Sequence, residues 1–506
     1  MRQRGKRSEN TSGEVLPWWL LRCVSREPEE TKPDEDAKTC DKVLSKEPSP
    51  EDIAKKHRGR PFAKLIHNTT QESLLSVSSS GTDYRGFFNL FVIVLVAANL
   101  RLVVENLIKY GVLLQTPRGF FDFYLNWPCA VCYIQMVVLV AVIFFIERYV
   151  SQWLRSDWVI NSLHTVVIVA MVAAPVCTVW SSAVTESNAV LLVAFSLAWS
   201  MKMVSFVQTC FDIRRAVARN IFKEVCADDE TSLRILEEKK FPECLTLHDM
   251  LLFLWFPTLC FQLHYPRSHR IRSRRVVRHS LALALCGVFS YILVEQYVTP
   301  LLENARQHVK MEAGPHGKVL KVSPGRLFER LLKLSLPNLY LWLIMFYGLF
   351  HSWLNLLAEL TRFGDRRFYD DWWNAASFGE YWKRWNLPVH HWCLRHVYFP
   401  MLRRRWSKFT AGFTVFLISG LLHELLVVVP LRMTRPTVLV TLAFLAQLPL
   451  VIITSQPAFE KANRTLGNGI FWFAFCFSGQ PLAVLIYFFL AVDPSLETFG
   501  TILSLR

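Results

Sequence analysis

The stretch VFLISGLLHELLVVVP, residues 415–430, decides the class of this protein because a long apolar run contains His423 and Glu424 side by side. A helix that crosses a lipid bilayer needs about 20 mainly apolar residues, and this run approaches that length. Ionisable side chains within such a helix are energetically costly, which favours a functional role for His423. The alternative is a structural histidine that is hydrogen-bonded by a neighbouring helix.

Long apolar runs of this kind recur along most of the chain. We expect spans at 87–113, 124–147, 158–181, 187–208, 278–299, 331–360, 409–430, 437–455 and 468–492. Each is close to the length that crosses hydrocarbon, so the pattern predicts about nine transmembrane helices. The shorter apolar stretch at 251–262 contains Pro257, and we predict that it is re-entrant or interfacial. The expected fold class is an all-α polytopic membrane protein.

The composition agrees with a membrane protein and argues against a nucleic-acid-binding one. Of the 506 residues, 52% are hydrophobic, and the mean hydropathy is +0.25. The net charge is +16, but the basic clusters at 214–215, 267–278 and 362–408 lie between predicted spans. Basic loops face the cytosol, so we expect a cytosolic N-terminus, a lumenal C-terminus and no nucleic-acid partner. The same basic face would attract an anionic soluble substrate.

The chain divides into a polar tail and an apolar core. Residues 1–85 are rich in charged residues, Ser, Thr and Pro, and we predict a disordered cytosolic tail. Residues 86–506 form the predicted membrane core, which includes a long cytosolic loop at 361–408. Aromatic and charged residues alternate in this loop, a pattern typical of helices that lie in the membrane interface.

Several phrases in the core carry a family resemblance. FYDDWWN at 368–374, the pair Trp385 and Asn386, and SGLLHELL at 419–426 resemble the membrane-bound O-acyltransferases of the branch that esterifies sterols and diacylglycerol. Within that branch, NLPVHHWCLRHVYFPMLRR at 386–404 and GQPLAVLIY at 479–487 are similar to type-one diacylglycerol acyltransferases. The resemblance extends over roughly residues 87–492.

The resemblance implies an enzyme of the endoplasmic reticulum membrane that transfers an acyl group directly from acyl-CoA to diacylglycerol, giving triacylglycerol. Acyl-CoA would be a co-substrate, and we expect no other cofactor and no metal. The family also implies a homodimer or homotetramer. Two alternatives stay open: a sterol or long-chain alcohol O-acyltransferase on the same fold, and a lipid transporter or binding protein that uses His423 as a gate.

The resemblance also implies site residues. His423 would be the general base, and Asn386 would donate a hydrogen bond near the reacting carbonyl. Substrate contacts would come from Trp385, His390, Glu424, Met433, Gln480, Tyr398, Arg403 and Lys408. From the residues alone, an Asn beside a Trp at the interface is more often a cap or turn residue. The alternative for Gln480 is an interhelical hydrogen bond.

Overall fold

The computed structural model describes residues 85–492 except 115–117, 155, 221–229, 308–309, 315–316, 322–323, 434–436 and 457–463. The predicted tail at 1–85 lies outside the described residues, apart from its last position. The chain divides into two units, Met1–Val96 and Ala97–Arg506. The described part of the first unit is the beginning of one helix, whose side chains from Asn89 to Val96 are exposed. The second unit contains the remainder of that helix and all later elements.

Helices account for nearly all of the described structure. They are α1 (Arg85–Tyr110), α2 (Phe123–Phe145), α3 (Ser151–Trp153), α4 (Asp157–Ser181), α5 (Glu186–Ala218), α6 (Glu230–Glu238), α7 (Leu247–Trp255), α8 (Ser273–Leu293), α9 (Thr299–Gln307), α10 (Pro324–Met345), α11 (Leu354–Leu360), α12 (Phe378–Arg384), α13 (Leu387–Cys393), α14 (Phe399–Arg403), α15 (Lys408–Val428), α16 (Leu439–Thr454), α17 (Arg464–Phe473) and α18 (Gln480–Val492).

Wider π-helical turns connect several neighbouring helices into longer continuous ones. These turns are Ile146–Val150, Val294–Val298, Phe346–Trp353, Leu394–Tyr398 and Ala474–Gly479. Tighter 3₁₀ turns lie at Arg118–Phe121 and Trp372–Asn374. Such π turns are frequent at functional sites because they change the direction of side chains without breaking the helix.

Eight helical stretches in the described part of the chain are long and apolar enough to cross a membrane. They consist of α1, α2 with α3, α4, α5, α8 with α9, α10 with α11, α15, and α17 with α18. The shorter apolar helix Leu439–Thr454 corresponds to the remaining predicted span. The predicted fold class, an all-α polytopic membrane protein, is therefore confirmed.

One β-hairpin departs from the purely helical expectation. Lys310–Gly314 (β1) pairs in antiparallel fashion with Gly317–Lys321 (β2), and Met311 lies opposite Leu320. Two residues separate the strands, which is the shortest common hairpin connection. The hairpin lies between α9 and α10, outside the apolar runs from which the helices were predicted.

The stretch at 251–262, predicted to be re-entrant or interfacial, begins within the short helix α7 (Leu247–Trp255). Its nine residues end at Trp255, immediately before Phe256 and Pro257. A helix of this length spans about 14 Å, less than half of the hydrocarbon thickness. The chain continues without regular secondary structure to Arg267, which forms an isolated β-bridge with Phe363.

The 361–408 segment contains three short helices, α12, α13 and α14, as the interfacial pattern predicted. Its aromatic rings, which we expected at headgroup depth, mostly pack inside the protein. Trp372 is 2% exposed, and Phe378 and Tyr381 are also buried. Trp342 of α10 stacks on Trp385 with ring centroids 4.7 Å apart. This aromatic cluster attaches the segment to the spanning helices.

A buried carboxylate fixes where the 361–408 segment begins. Glu359 is fully buried at the end of α11, and it accepts hydrogen bonds from the backbone N–H and the guanidinium of Arg272 at 2.7–3.0 Å. The Arg366 guanidinium lies 2.7 Å from the same carboxylate. Next to this ion pair, the N–H of Gly364 donates to the carbonyl of Pro266 at 2.8 Å. The loops after α7 and after α11 are therefore joined.

Helices α15 and α16 pack with their backbones in close contact. The Ser407 hydroxyl caps α15 by accepting from the Thr410 N–H, and Pro430 follows its C-terminus. A Cβ atom placed on Gly420 would lie 2.8 Å from the Cα of Thr441 on α16. Only glycine permits this approach, which brings the SGLLHELL motif against α16.

We expect Gly420→Ala to weaken the α15–α16 contact because its methyl group would collide with backbone rather than with a movable side chain. Overpacking of this kind should lower the free energy of unfolding by about 1–3 kcal/mol. Gly412→Ala on the same helix is the matched control, since a Cβ there meets nothing within 4 Å. Thermal unfolding in detergent micelles is the measurement, and equal midpoints for the two variants would contradict the packing argument.

Candidate active site

His423 lies on α15, and only one of its two ring nitrogens is hydrogen-bonded within the part of the chain that the structure describes. Its Nδ1 is 2.8 Å from the carbonyl oxygen of Ser419, one turn earlier in the helix. Because a carbonyl oxygen can only accept, Nδ1 must carry the proton, and Nε2 keeps its lone pair in the neutral ring. This is the tautomer that a general base needs.

The His423 side chain is accessible at the surface of the chain, although many protein atoms surround it. It therefore lies beside α16 and outside the packed core, a position that we call the recess. Its ring packs on Phe444 of α16, with centroids 4.7 Å apart. The ring is therefore fixed on one side by Phe444 and on its Nδ1 edge by Ser419, while its Nε2 edge is left for a ligand.

Phe444 also connects His423 to the 361–408 segment. Trp382 of α12 packs against Phe444 and against Phe416 of α15, with centroids 5.4 and 5.7 Å away. The indole N–H of Trp382 donates to Gln447 on α16 at 3.1 Å. The position of the His423 ring thus depends on a side chain from the same segment that carries Trp385 and Asn386.

Glu424 has a different environment from its neighbour His423. It is 6% exposed. One carboxylate oxygen accepts from the hydroxyls of Thr437, at 2.9 Å, and Tyr487, and the other accepts from the Thr441 N–H and hydroxyl at 3.0 and 3.2 Å. These bonds join α15 to α16 and α18. Consecutive helical residues point about 100° apart, which is why Glu424 can face this network while His423 faces the recess.

Asn386 is the N-cap of α13, and its Oδ1 accepts from the Val389 N–H at 3.2 Å. Its amide nitrogen has no hydrogen-bond partner among the described residues, so it is available as a donor. Backbone bonds on both sides hold it in place, from Asp370 N to Arg384 O at 2.8 Å and from Leu387 N to Phe368 O at 3.0 Å. The FYDD sequence therefore supports the turn that presents Asn386.

The other predicted residues of this segment lie on consecutive helical turns. Trp385 belongs to the aromatic cluster described above and also packs on Phe350 with centroids 4.5 Å apart. Burial and the neighbouring His391 lower the pKa of His390 to about 4, so its ring is neutral near pH 7. Tyr398 is buried at the end of a π turn, and burial raises the pKa of its hydroxyl.

A cavity of about 410 Å³ lies where α13 and α14 meet the loop after α7. Ligand sites of small molecules commonly have volumes of several hundred Å³. The polar and charged lining residues are Thr258, Cys260, Gln262, Tyr265, Asp365, His391, Arg395 and Arg403. The lining contains two arginines and one aspartate, so the cavity has a net positive charge. The Arg403 guanidinium has no ion-pair partner among the described residues, so it can bind an anion.

Three predicted residues lie elsewhere, and none of them hydrogen-bonds to His423. Gln480 begins α18 and accepts from the amide of Asn338 on α10 at 3.4 Å, as the interhelical alternative predicted. Met433 follows the end of α15, and its N–H donates to Val428 O at 3.1 Å. Lys408 is the first residue of α15 and is exposed.

Several residues at the site were not predicted from the sequence. Phe444 and Trp382 are apolar or aromatic residues in runs rich in both, so nothing local distinguishes them. Arg395 donates to Phe261 O at 3.0 Å and to the Thr209 hydroxyl at 3.2 Å, partners more than 130 positions away along the chain. Lys202 did give a signal, since it is a charged residue within a long apolar helix.

The amino-acid sequence of this chain matches a known protein family. Residues 160–489 match the model of the membrane-bound O-acyltransferase family. Diacylglycerol O-acyltransferase 1 of Arabidopsis thaliana is 39% identical over 434 residues, which cover 85% of this chain and 77% of that protein.

Relatives from other organisms give the same result. Diacylglycerol O-acyltransferase 1C of Glycine max is 37% identical over 86% of this chain and 80% of its own length. Diacylglycerol O-acyltransferase 1 of Bos taurus is 36% identical over 82% of this chain and 83% of its own length. The matched residues include His423, Asn386 and the helices that position them, and the chain belongs to the membrane-bound O-acyltransferase family of acyl-transferring enzymes.

Proposed function

We propose that this enzyme esterifies diacylglycerol with an acyl group from acyl-CoA and releases triacylglycerol and coenzyme A. The observation that carries the proposal is that the exposed His423 side chain, on a helix able to span a membrane, has no described residue hydrogen-bonded to its Nε2. The three similar proteins named above are diacylglycerol O-acyltransferases, which supports diacylglycerol as the acceptor. We place the enzyme in the endoplasmic reticulum membrane, as the family resemblance implies, and the basic clusters support an N-terminus in the cytosol and a C-terminus in the lumen.

His423 acts as the general base in this proposal. Its Nε2 takes the proton of the diacylglycerol hydroxyl while the hydroxyl oxygen attacks the thioester carbonyl carbon. The carbon–sulfur bond then breaks, and the proton passes to the coenzyme A sulfur, so that coenzyme A leaves as a thiol. The bond from Nδ1 to Ser419 O holds the ring in one tautomer through both proton transfers.

Asn386 supplies a hydrogen-bond donor to the substrate. Its Oδ1 is occupied by the α13 cap, whereas its amide N–H groups are free among the described contacts. A donor fixed by a helix cap and by two backbone pairs needs no reorganisation when negative charge develops on the thioester oxygen. We assign this amide to that oxygen or to the pantetheine arm of the donor.

The cavity beside α13 and α14 receives the phosphate-bearing end of acyl-CoA. Arginine is suited to phosphate because its planar guanidinium donates two parallel hydrogen bonds. Arg403 and Arg395 lie in the lining, and Arg403 is unpaired in the described structure. An apolar acceptor instead reaches His423 from the bilayer side, since the His423 side chain is itself exposed on a helix long and apolar enough to span the membrane.

The acceptor is tested by offering diacylglycerol, cholesterol and a long-chain alcohol together with labelled oleoyl-CoA to the purified protein in liposomes. We expect labelled triacylglycerol as the main product. A sterol ester or wax ester would keep the acyl-transfer chemistry and overturn the acceptor. Oleoyl-CoA consumption without an ester product would overturn the proposed reaction.

We expect His423→Gln to lower kcat for triacylglycerol formation by about 10²–10⁴-fold, the usual contribution of a general base. Glutamine can still donate a hydrogen bond to Ser419 O but cannot take a proton at neutral pH. Leu421→Ala, an exposed position of the same helix, is the control and should retain activity. If His423→Gln keeps kcat within a factor of three, His423 is not the base.

We expect Arg403→Gln to raise the KM for acyl-CoA by about tenfold, the equivalent of one lost charge-assisted hydrogen bond. The KM for diacylglycerol should stay unchanged, and the effect should shrink at high salt because screening already weakens phosphate binding. Arg404→Gln is the matched control, since the neighbouring Arg404 does not line the cavity. Equal effects of the two substitutions on the KM for acyl-CoA would contradict the assignment of the cavity.

A further inference from the structure

Lys202 is a buried cation that the proposed chemistry does not use. It lies on α5 and is 5% exposed. Its ammonium group donates to three backbone carbonyl oxygens, those of Phe253 at 2.9 Å, Phe256 at 2.6 Å and Thr258 at 2.7 Å. No carboxylate in the described part of the chain pairs with it. A buried ammonium without a counter-ion is costly unless all of its protons are hydrogen-bonded.

The three carbonyls belong to the end of α7 and to the chain that follows it. α7 ends at Trp255, and Pro257 prevents its continuation. The last carbonyls of a helix have no partner within the helix and carry partial negative charge. Phe253 and Phe256 are buried, so bulk water does not reach their carbonyls. Lys202 provides both the donors and the positive charge that this helix end requires.

The same face of α5 holds the next part of the loop. Ser205 lies three positions beyond Lys202, and its fully buried hydroxyl accepts from the Phe261 N–H at 2.8 Å. The carbonyl of the same residue, Phe261, accepts a hydrogen bond from the Arg395 guanidinium at 3.0 Å. Arg395 also donates to Thr209, one turn further along α5. The loop from Phe253 to Phe261 is therefore attached to one polar stripe of α5.

This loop forms one wall of the cavity beside α13 and α14. Thr258, Cys260, Gln262 and Tyr265 all line it. The Tyr265 hydroxyl donates to Cys260 O at 3.1 Å and accepts from the Gln262 N–H at 2.9 Å, so this wall is internally bonded. Its attachment at Thr258 is the bond to Lys202. The position of the wall thus depends on the buried ammonium.

We propose that Lys202 is a positioning residue for the acyl-CoA site: through its three carbonyl bonds it holds the 253–261 loop in the shape that lets the cavity bind the phosphate-bearing end of acyl-CoA. The inference rests on the proposed function of that cavity and adds a residue that does not touch the substrate itself. Without the ammonium, the Phe256 and Thr258 carbonyls would lack donors among the described residues, and the Phe253 carbonyl would keep only the Phe256 N–H at 3.3 Å. The loop would then move toward any group that could satisfy them.

Steady-state kinetics separate this positioning role from a purely structural one. The substitutions are Lys202→Met, which keeps the length of the side chain but cannot donate, and Lys202→Arg, which keeps the charge and the donors. We expect Lys202→Met to raise the KM for oleoyl-CoA by about tenfold while kcat and the KM for diacylglycerol change little, the pattern of lost ground-state binding. Lys202→Arg should lie closer to the wild type than Lys202→Met does.

Two further substitutions complete the design. Ser196→Ala is the matched control, because Ser196 is buried on the same helix but donates to Met171 O, away from the loop. Its KM for oleoyl-CoA should equal that of the wild type. Ser205→Ala removes only the bond to Phe261 and should raise the same KM less than Lys202→Met does. It tests the inference even if Lys202→Met fails to fold.

Alkylation of Cys260 reports the position of the wall without relying on catalysis. Burial raises the pKa of the Cys260 thiol, so its reaction with N-ethylmaleimide in the wild type should be slow. Reaction at Cys260 is quantified by mass spectrometry of its peptide, with and without free coenzyme A. We expect coenzyme A to protect Cys260 in the wild type, and we expect faster alkylation with weaker protection in Lys202→Met.

The outcomes distinguish the inference from the proposed function. Wild-type alkylation rates in Lys202→Met and Ser205→Ala would overturn the positioning role, whether or not the protein transfers acyl groups. A loss of kcat in Lys202→Met without a change in the KM of either substrate would also overturn it. If the variants expose Cys260 but the wild type makes no triacylglycerol and coenzyme A gives no protection, the proposed function fails and only the attachment of the loop by Lys202 stands.

Discussion

Lipid offers no hydrogen bonds, so each polar group between the apolar helices must find its partner within the protein. This constraint determines how the site is built. Lys202 is satisfied by three carbonyls, Glu424 by two threonines and Tyr487, and Glu359 by two arginines. In each case the partner lies on a different element, so the polar groups join helices whose apolar surfaces alone would leave their relative positions poorly specified.

The spanning helices could be predicted because length and apolar composition are properties of a single run. The N-cap role of Asn386 could also be predicted, since the residues that it caps follow it directly. The hydrogen-bond partners of Glu424 could not be predicted in this way. Its partner Tyr487 is 63 positions away, and sequence alone gives no sign that the carboxylate faces this network rather than the recess of His423. The burial of the aromatic rings in the 361–408 segment was equally non-local, because an amphipathic ring suits a headgroup layer and a protein core alike.

Close packing and aromatic contacts together fix the ring of His423, the proposed base. Gly420 allows α15 to approach Thr441 on α16, and Glu424 bonds to that same threonine. With the crossing point set, Phe444, three residues beyond Thr441, is brought against the His423 ring. Trp382 of the 361–408 segment also packs on Phe444. A loss of any one of these contacts would change the direction in which the free nitrogen points.

The proposed reaction joins a charged, water-soluble donor to an apolar acceptor, and the length of α15 shows how far apart the two ends of the donor would lie. Lys408 and His423 are 15 residues apart on this helix, which corresponds to about 22 Å along its axis. Lys408 lies at the N-terminus of α15, close in sequence to Arg403, and the proposed base lies near the C-terminus of the same helix. Coenzyme A carries its phosphates at one end and its thioester at the end of a long flexible arm. A donor of that shape can leave its charges beside Arg403 and still present its carbonyl to His423, whereas a compact acyl donor could not reach both.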